Sequence, residues 1–431
     1  MISSYECPNR ALQILPELIR YGHRDKVEEW EATMIQPFYC YIGIFLSFTV
    51  SMWLFATGKL DAQAHFYAPL GILIAYFTTL SLLTDKQVYR ARSIRQVLPK
   101  ALCKYLMWGL VIGGVLKFYQ LHPLYSQMTP NTRVFFRHYF HFFVIVGLPY
   151  FLLVEKTRYC VENVVSDPYI KMRLLLRDLW RKRFKQAGHR LTRQRYRRTY
   201  LMAILRIHYI PIMVEQIYYG VTRTTLFAQT PNHEWSLLTV VGIITVLCWL
   251  IDSNNGAMGY FWESCLTKTR YRDVDPNAIH WFVVLICYVP FIGYATNFVP
   301  FPSLPAISPL LIAHTGVNKG IEVVMLLALI MYVISGSALN FSTSNLCYKK
   351  IQTKGPYRIV RHPATACKLI VFALAFFRFR AAFTPAWAIC YFVWFTIYIC
   401  RALVEERFLR RFPDYQDYMK QTPYRFIPGL I

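Results

Sequence analysis

The sequence predicts an all-α, polytopic integral membrane protein with about ten transmembrane helices. Hydrophobic residues make up 55% of the 431-residue chain and charged residues only 16%, which is too apolar for a soluble domain at that charge level. The apolar residues are also gathered into separate runs, and a bilayer core about 30 Å thick needs roughly 20 mostly apolar residues of helix. Finally, the basic residues fall in alternate loops between those runs, as membrane insertion requires.

Residues 1–36 contain Glu6, Arg10, Glu17, Arg24, Asp25, Glu28 and Glu29 and no apolar signal-peptide core. They are expected to form a cytosolic N-terminal segment, with Tyr39–Thr57 as an uncleaved first span. Further spans are expected at Phe66–Leu83, Ala101–Gln120, Val134–Val154, Leu237–Ile251, Ile279–Val299 and Ile321–Leu339. Ala366–Phe377 and Pro385–Leu403 close the series as a C-terminal helical hairpin. Tyr200–Tyr219 is a less clean candidate, because it holds Arg206, His208 and Glu215. Residues 37–335 thus read as a multi-span membrane body and 336–431 as a distinct C-terminal module. Cys40, Cys103, Cys248, Cys287, Cys390 and Cys400 lie in apolar runs without CxxC spacing, so they read as small buried hydrophobes, with no metal site implied.

The net charge is +25. Its clusters are Lys86–Lys100, Lys156–Arg198, Lys268–Arg272, Lys349–Arg361 and Arg401–Arg425, a pattern that places both termini on the cytoplasmic side. Arg378 and Arg380 fall on the opposite side. Within 156–198, Lys171–Arg198 interleaves arginine with Trp180, Phe184 and Tyr196, which resembles a nucleic-acid patch. Leu175, Leu176, Leu179 and Trp180 instead fit one helical face beside a basic one, so the segment reads as an interfacial helix on anionic lipid, with no nucleic-acid partner. Pro300, Pro302, Pro305 and Pro309 mark an irregular loop on the other side.

The chemistry is concentrated near the C-terminus. The chain leaves a span at Asn340, runs through a polar loop, and re-enters at Pro363, a residue suited to the first position of a helix. Arg361 and His362 stand just ahead of that N-terminus, where free N–H groups and the helix dipole favour a carboxylate or phosphate. Lipid head groups at the interface are the alternative ligand. Glu405 and Glu406 end the last span, where acids oppose the helix dipole. Local pairing, Arg401 with Glu405 and Glu406 with Arg410, would contribute a few tenths of a kcal/mol. Alternatively, one acid faces a cationic ligand while its neighbour, about 100° round the helix, pairs with arginine; Glu406 is the one expected to face it. Pro413 opens a short helix on which Tyr415 and Tyr418 share a face, able to cover a flat ligand or to anchor the tail.

GPYRIVRHP (Gly355–Pro363) followed by EERFLRRFPDYQDYMKQTPYRFIP (Glu405–Pro428) resembles the isoprenylcysteine carboxyl methyltransferase and phospholipid methyltransferase superfamily. The resemblance covers about Gly336–Pro428, and the longer N-terminal part resembles the extended form of some bacterial members. It implies a membrane enzyme using S-adenosyl-L-methionine on the cytosolic side, with Arg361, Glu405 and Glu406 as catalytic residues. It further implies a cofactor set of Gly355, Pro356, Tyr357, Arg361, His362, Pro363, Glu405, Glu406, Tyr415, Tyr418 and Arg425. The acceptor would be a membrane lipid head group or a lipidated, prenylcysteine-like carboxylate. Where the family commonly has RHPxYxG, this chain has Thr365 and Cys367 in place of the aromatic residue and the glycine.

Two other readings stand beside this one. A sterol reductase shares a similar C-terminal layout but uses NADPH. A transporter or lipid-binding protein is suggested by Arg137, His138, His141, Arg206 and Glu215 in or near spans. Asp252, Ser253, Asn254, Asn255 and Gly256, read as a cytoplasmic helix end, offer either an acceptor contact or a helix C-cap.

Overall fold

The computed structural model describes residues 36–59, 61–84, 93–128, 130–157, 167–230, 235–261, 271–300 and 315–430. Residues 1–35, Lys86, Arg90, Arg92, residues 158–166, Lys268, Arg270, Pro302, Pro305 and Pro309 lie outside the described residues, so the expectations placed on them do too.

The helices run in the order α1 (Pro37–Ala56), α2 (Ala62–Thr84), α3 (Ile94–Leu121), α4 (Pro123–Met128), α5 (Pro130–Thr157), α6 (Pro168–Trp180), α7 (Phe184–Thr192), α8 (Gln194–Gln229) and α9 (Leu237–Phe261). After β1 (Asp273–Val274) come α10 (Ala278–Leu285), α11 (Phe291–Thr296), α12 (Thr315–Leu339) and β2 (Cys347–Tyr348). The chain ends with α13 (Pro363–Phe377), α14 (Pro385–Leu409) and α15 (Pro413–Gln421). Proline opens α1, α4, α5, α6, α13, α14 and α15, where its missing N–H leaves no helical bond unmade.

Among the described residues, six helices are long and apolar enough to cross a membrane: α1, α3, α5, α9, α12 and α14. The apolar stretches Ala64–Leu80 of α2 and Pro363–Phe377 of α13 are shorter. The chain is therefore an all-α membrane protein, with only a two-stranded antiparallel ladder of β1 and β2 besides helix among the described residues. The expected count of ten spans does not follow from these helices. Ile279–Val299, expected as one span, is broken into α10 and α11 with turns between them. Pro290 stands at the N-cap of α11, and a proline has no N–H with which to continue the preceding helix.

The less clean candidate Tyr200–Tyr219 lies within the 36-residue α8, whose buried residues run along most of its length. Its charges are absorbed by neighbours. Glu215 accepts from the backbone N–H and hydroxyl of Thr132 at 2.8 and 3.0 Å and from Asn131 at 2.7 Å, at the N-terminus of α5, where a carboxylate complements the helix dipole. Arg206 Nε donates to the Tyr260 carbonyl at 3.1 Å, and the guanidinium lies over the Tyr271 ring. Pro211 leaves the carbonyl of Ile207 without its helical donor; the Tyr119 hydroxyl donates to it instead, at 2.7 Å. α8 also forms the core with α2, α5 and α9, where Phe66 stacks on Tyr218 and Tyr209 on Tyr260.

Residues 252–256 are not a helix end, because α9 continues to Phe261. These polar groups point into the bundle: Asn255 donates to Ser337 at 3.0 Å, and Asp252 accepts from the Tyr332 hydroxyl at 2.9 Å. Gly259 lets the loop after α12 press against α9, since a Cβ there would collide with the Thr343 carbonyl. In the basic segment, Asp178 holds Arg190, joining α6 to α7, while Trp180, Phe184 and Leu176 stay exposed beside basic residues.

Candidate functional site

The loop from 340 to 361 is held down along its length. Lys349 Nζ donates to the carbonyls of Gly259, at 2.7 Å, and Phe341; Gln352 donates to the Ala338 carbonyl at 2.7 Å. At Gly355 the backbone has φ +64°, a region open to glycine at no steric cost, and a Cβ there would come 3.2 Å from Pro37 of α1. Pro356 and Tyr357 follow in a 3-10 turn over Gly355–Arg358, delivering Arg361 and His362 to the start of α13.

Here the two sequence motifs meet. Arg361 Nε donates to Glu406 Oε1 at 2.5 Å, and its Nη1 donates to the carbonyls of Thr422, at 2.8 Å, and Pro423. The backbone N–H groups of Arg361 and His362 donate to the carbonyls of Tyr424 and Arg425, both at 2.9 Å. Arg425 and Arg410 donate to the other oxygen of Glu406 at 2.9 and 3.1 Å. His362 Nε2 lies 3.6 Å from Glu406 Oε1, too far for a good hydrogen bond, and has no other partner. Glu406 is 1% exposed and Arg361 6%. A buried carboxylate is tolerated when cations and hydrogen bonds replace its water, and Glu406 has three arginines.

This differs from the expected division between the two acids. Glu406 spends both oxygens inside the protein, tying α14, the start of α13 and the tail together. Glu405, half-buried one residue away, makes no hydrogen bond or ion pair with any described residue. Of the expected local pairs, Glu406 with Arg410 forms. Arg401 does not pair with Glu405; its Nη2 donates to Asn345 Oδ1 at 2.5 Å.

Tyr357, Tyr415 and Tyr418 come together, but in a small core with Tyr348, Phe408 and Leu409. The Tyr418 hydroxyl donates to the Tyr357 carbonyl at 2.7 Å. Burial pushes all three phenols above their usual range. They pack the tail onto the loop and present no open face to a flat ligand in this arrangement. Cys367, where the resembled family usually has glycine, packs with Ala364 against Cys248, Leu329, Tyr332 and Val333 of α9 and α12.

What remains for a ligand is the N-terminus of α13, which no side chain caps, and the carboxylate of Glu405, since His362 Nε2 is buried against Glu406. Donors for an anion therefore stand near an acceptor for a cation, which is the donor set a zwitterion needs. No protein-family model matches the chain, and no curated protein matches it significantly.

Lys368 has no role in the sequence pattern above, and Arg401 enters it as a member of the last basic cluster and a partner for Glu405. Both are ionisable residues in apolar helices, the signal that should have singled them out.

Proposed function

We propose that this protein is an integral membrane methyltransferase that uses S-adenosyl-L-methionine and acts on a membrane-embedded acceptor, a prenylcysteine-like carboxylate or a lipid head group. The observation that carries the reading is the convergence at Glu406 of the RHP segment, the paired acids and the C-terminal tail, which are far apart in sequence. Bound cofactor would supply a methyl group on a sulfonium. The α13 N-terminus suits its carboxylate, and Glu405 suits its ammonium. Arg361, Glu406 and Arg425 act as positioning residues, fixing the geometry of those two elements. In-line methyl transfer depends on alignment more than on acid-base help, so a rigid ionic tie beneath the binding groups serves the chemistry. A carboxylate acceptor needs no base, whereas an amine must arrive deprotonated, a task for which Glu405 is the available carboxylate.

The alternation of basic loops supports a cytoplasmic active site and cytoplasmic termini, and the exposed basic and apolar residues of α6 and α7 suit the anionic surface of the same leaflet. The test of function is calorimetry on the full chain in nanodiscs with S-adenosylmethionine, S-adenosylhomocysteine and NADPH. Both S-adenosyl ligands should bind and NADPH should not. NADPH binding without S-adenosyl binding would replace this reading with the reductase.

A further inference from the structure

Inside the bundle, on the membrane side of the Glu406 tie, lies a second group of charges. The ammonium of Lys368 (α13) rests over the rings of Tyr332 (α12), Trp249 (α9) and Tyr398 (α14), at 4.6, 5.7 and 5.9 Å. It makes no hydrogen bond or ion pair with any described residue. Arg401 (α14) lies over the Tyr288 ring at 5.1 Å and uses one nitrogen on Asn345, whose amide in turn donates to the hydroxyls of Tyr260 and Tyr288. Asp252 (α9) accepts from Tyr332. The other ionisable side chains around the group among the described residues are tyrosines, Cys248 and Cys287, all neutral at ordinary pH.

The charges do not balance. Two cations face one carboxylate, and an uncompensated charge inside a protein is costly unless something completes it. Lys368 has no hydrogen-bond acceptor among the described residues, and Arg401 has one, Asn345. Side chains of α9, α12, α13 and α14 thus surround two cationic groups whose hydrogen-bonding capacity is only partly used. The turns between α10 and α11 put irregular backbone beside this group at Cys287 and Tyr288. At membrane depth, such backbone persists only where it is buried in protein or lines a cavity.

We propose that a crevice between these helices is an anion subsite that takes the carboxylate or phosphate of a membrane-embedded amphiphile, with Lys368 and Arg401 as donors and Asp252 as a fixed counter-charge that suits the site to a single negative charge. Its role as the acceptor site rests on the methyltransferase reading; anion binding does not. For a carboxylate acceptor, one oxygen forms a bond to the methyl carbon as the methyl–sulfur bond breaks and its electron pair goes to sulfur. The sulfonium becomes a thioether, the carboxylate a neutral ester, and no proton moves. The ester no longer completes the charge of the crevice, so the subsite separates substrate from product by charge.

The test is binding to the full chain in detergent, without cofactor, of three probes: an S-prenylcysteine free acid, its methyl ester, and a short-chain phosphatidylglycerol. One or both anions should bind, which identifies the source of the charge, and the ester should bind at least tenfold more weakly. Lys368→Met should weaken anion binding roughly tenfold to a hundredfold, Lys368→Arg should restore most of it, and Asp252→Asn should hold or strengthen it. Opposite signs at positions 368 and 252 are not what a merely structural role produces, and the Asp252→Asn and Lys368→Arg pair carries the test if Lys368→Met fails to fold. Equal binding of acid and ester, or weakening by Asp252→Asn as large as that by Lys368→Met, overturns the subsite. S-adenosylmethionine binding measured in parallel shows whether the cofactor reading stands regardless.

Discussion

Replacing Glu406 by glutamine keeps the side-chain shape and removes the charge that three arginines share. Arg410 and Arg425 have side chains 46% and 32% exposed and can turn to water, but that of Arg361 is 4% exposed and cannot. The cost is therefore mainly that of one buried guanidinium left without its anion. Breaking such a pair from one side typically costs about 3–5 kcal/mol, a large part of a total stability of about 5–15 kcal/mol. Glu405→Gln touches no such pair and should stay within about 0.5 kcal/mol of the parent, while weakening S-adenosylmethionine roughly tenfold to a hundredfold if Glu405 holds the ammonium. Reversible unfolding in mixed micelles, followed by helical circular dichroism, measures the first effect and calorimetry the second. Arg361→Met combined with Glu406→Leu removes both charges and should cost less than the two single changes added together. If Glu406→Gln unfolds like the parent, or if Glu405→Gln is equally destabilised, the ionic tie is not what holds the tail to α13 and α14.

Two further outcomes check other parts of the structure. In intact cells, a cysteine placed at Lys354 should resist an impermeant external reagent and react only after permeabilisation; external labelling would reverse the proposed orientation. Burial, helped by the Asp414 carboxylate to which its hydroxyl donates at 2.7 Å, pushes Tyr348 up to about 12, against about 10 in an unfolded chain. Because the folded value is the higher one, this contribution to stability is complete below about pH 10 and is lost as pH rises through about 12. Tyr348→Phe should flatten the fall in stability over that window, and an unchanged slope would show that Tyr348 ionises equally easily in both states.

The membrane character was legible because it rests on length and composition, which a bilayer reads directly. A proline-started helix and a pair of acids at a helix end are local signals that marked each C-terminal motif separately; that the two belong together was implied by the family resemblance alone, and their direct contact through Arg361 and Glu406 was not anticipated. The roles of Glu405 and Glu406 were not legible. Adjacent residues on a helix face directions about 100° apart, and which direction meets Arg361 depends on how α14 lies beside α13, which no local pattern records. Nor was the break in Ile279–Val299 visible to a measure of apolarity, because Val289, Phe291 and Ile292 are as hydrophobic as a continuous span requires. Residues 252–256 misled in the opposite sense: polar side chains usually mark a helix end, but here they face other polar groups across the bundle, so α9 could continue through them.

Helix geometry links the two proposed sites. From Pro363 to Lys368 along α13, and from Glu405 to Arg401 along α14, the chain moves about one turn into the bundle, roughly 6–8 Å at 1.5 Å per residue. The N-terminus of α13 and Glu405 thus stand one turn from Lys368 and Arg401 on the same two helices, whose contact is packed by Phe372 against Tyr398. A methyl donor held at the outer turn and an anion held at the inner one would have their separation set by rigid elements instead of mobile loops. The ionic tie at Glu406 holds those helices together at the outer turn, and on the proposed methyltransferase reading it would set the distance over which the methyl group passes.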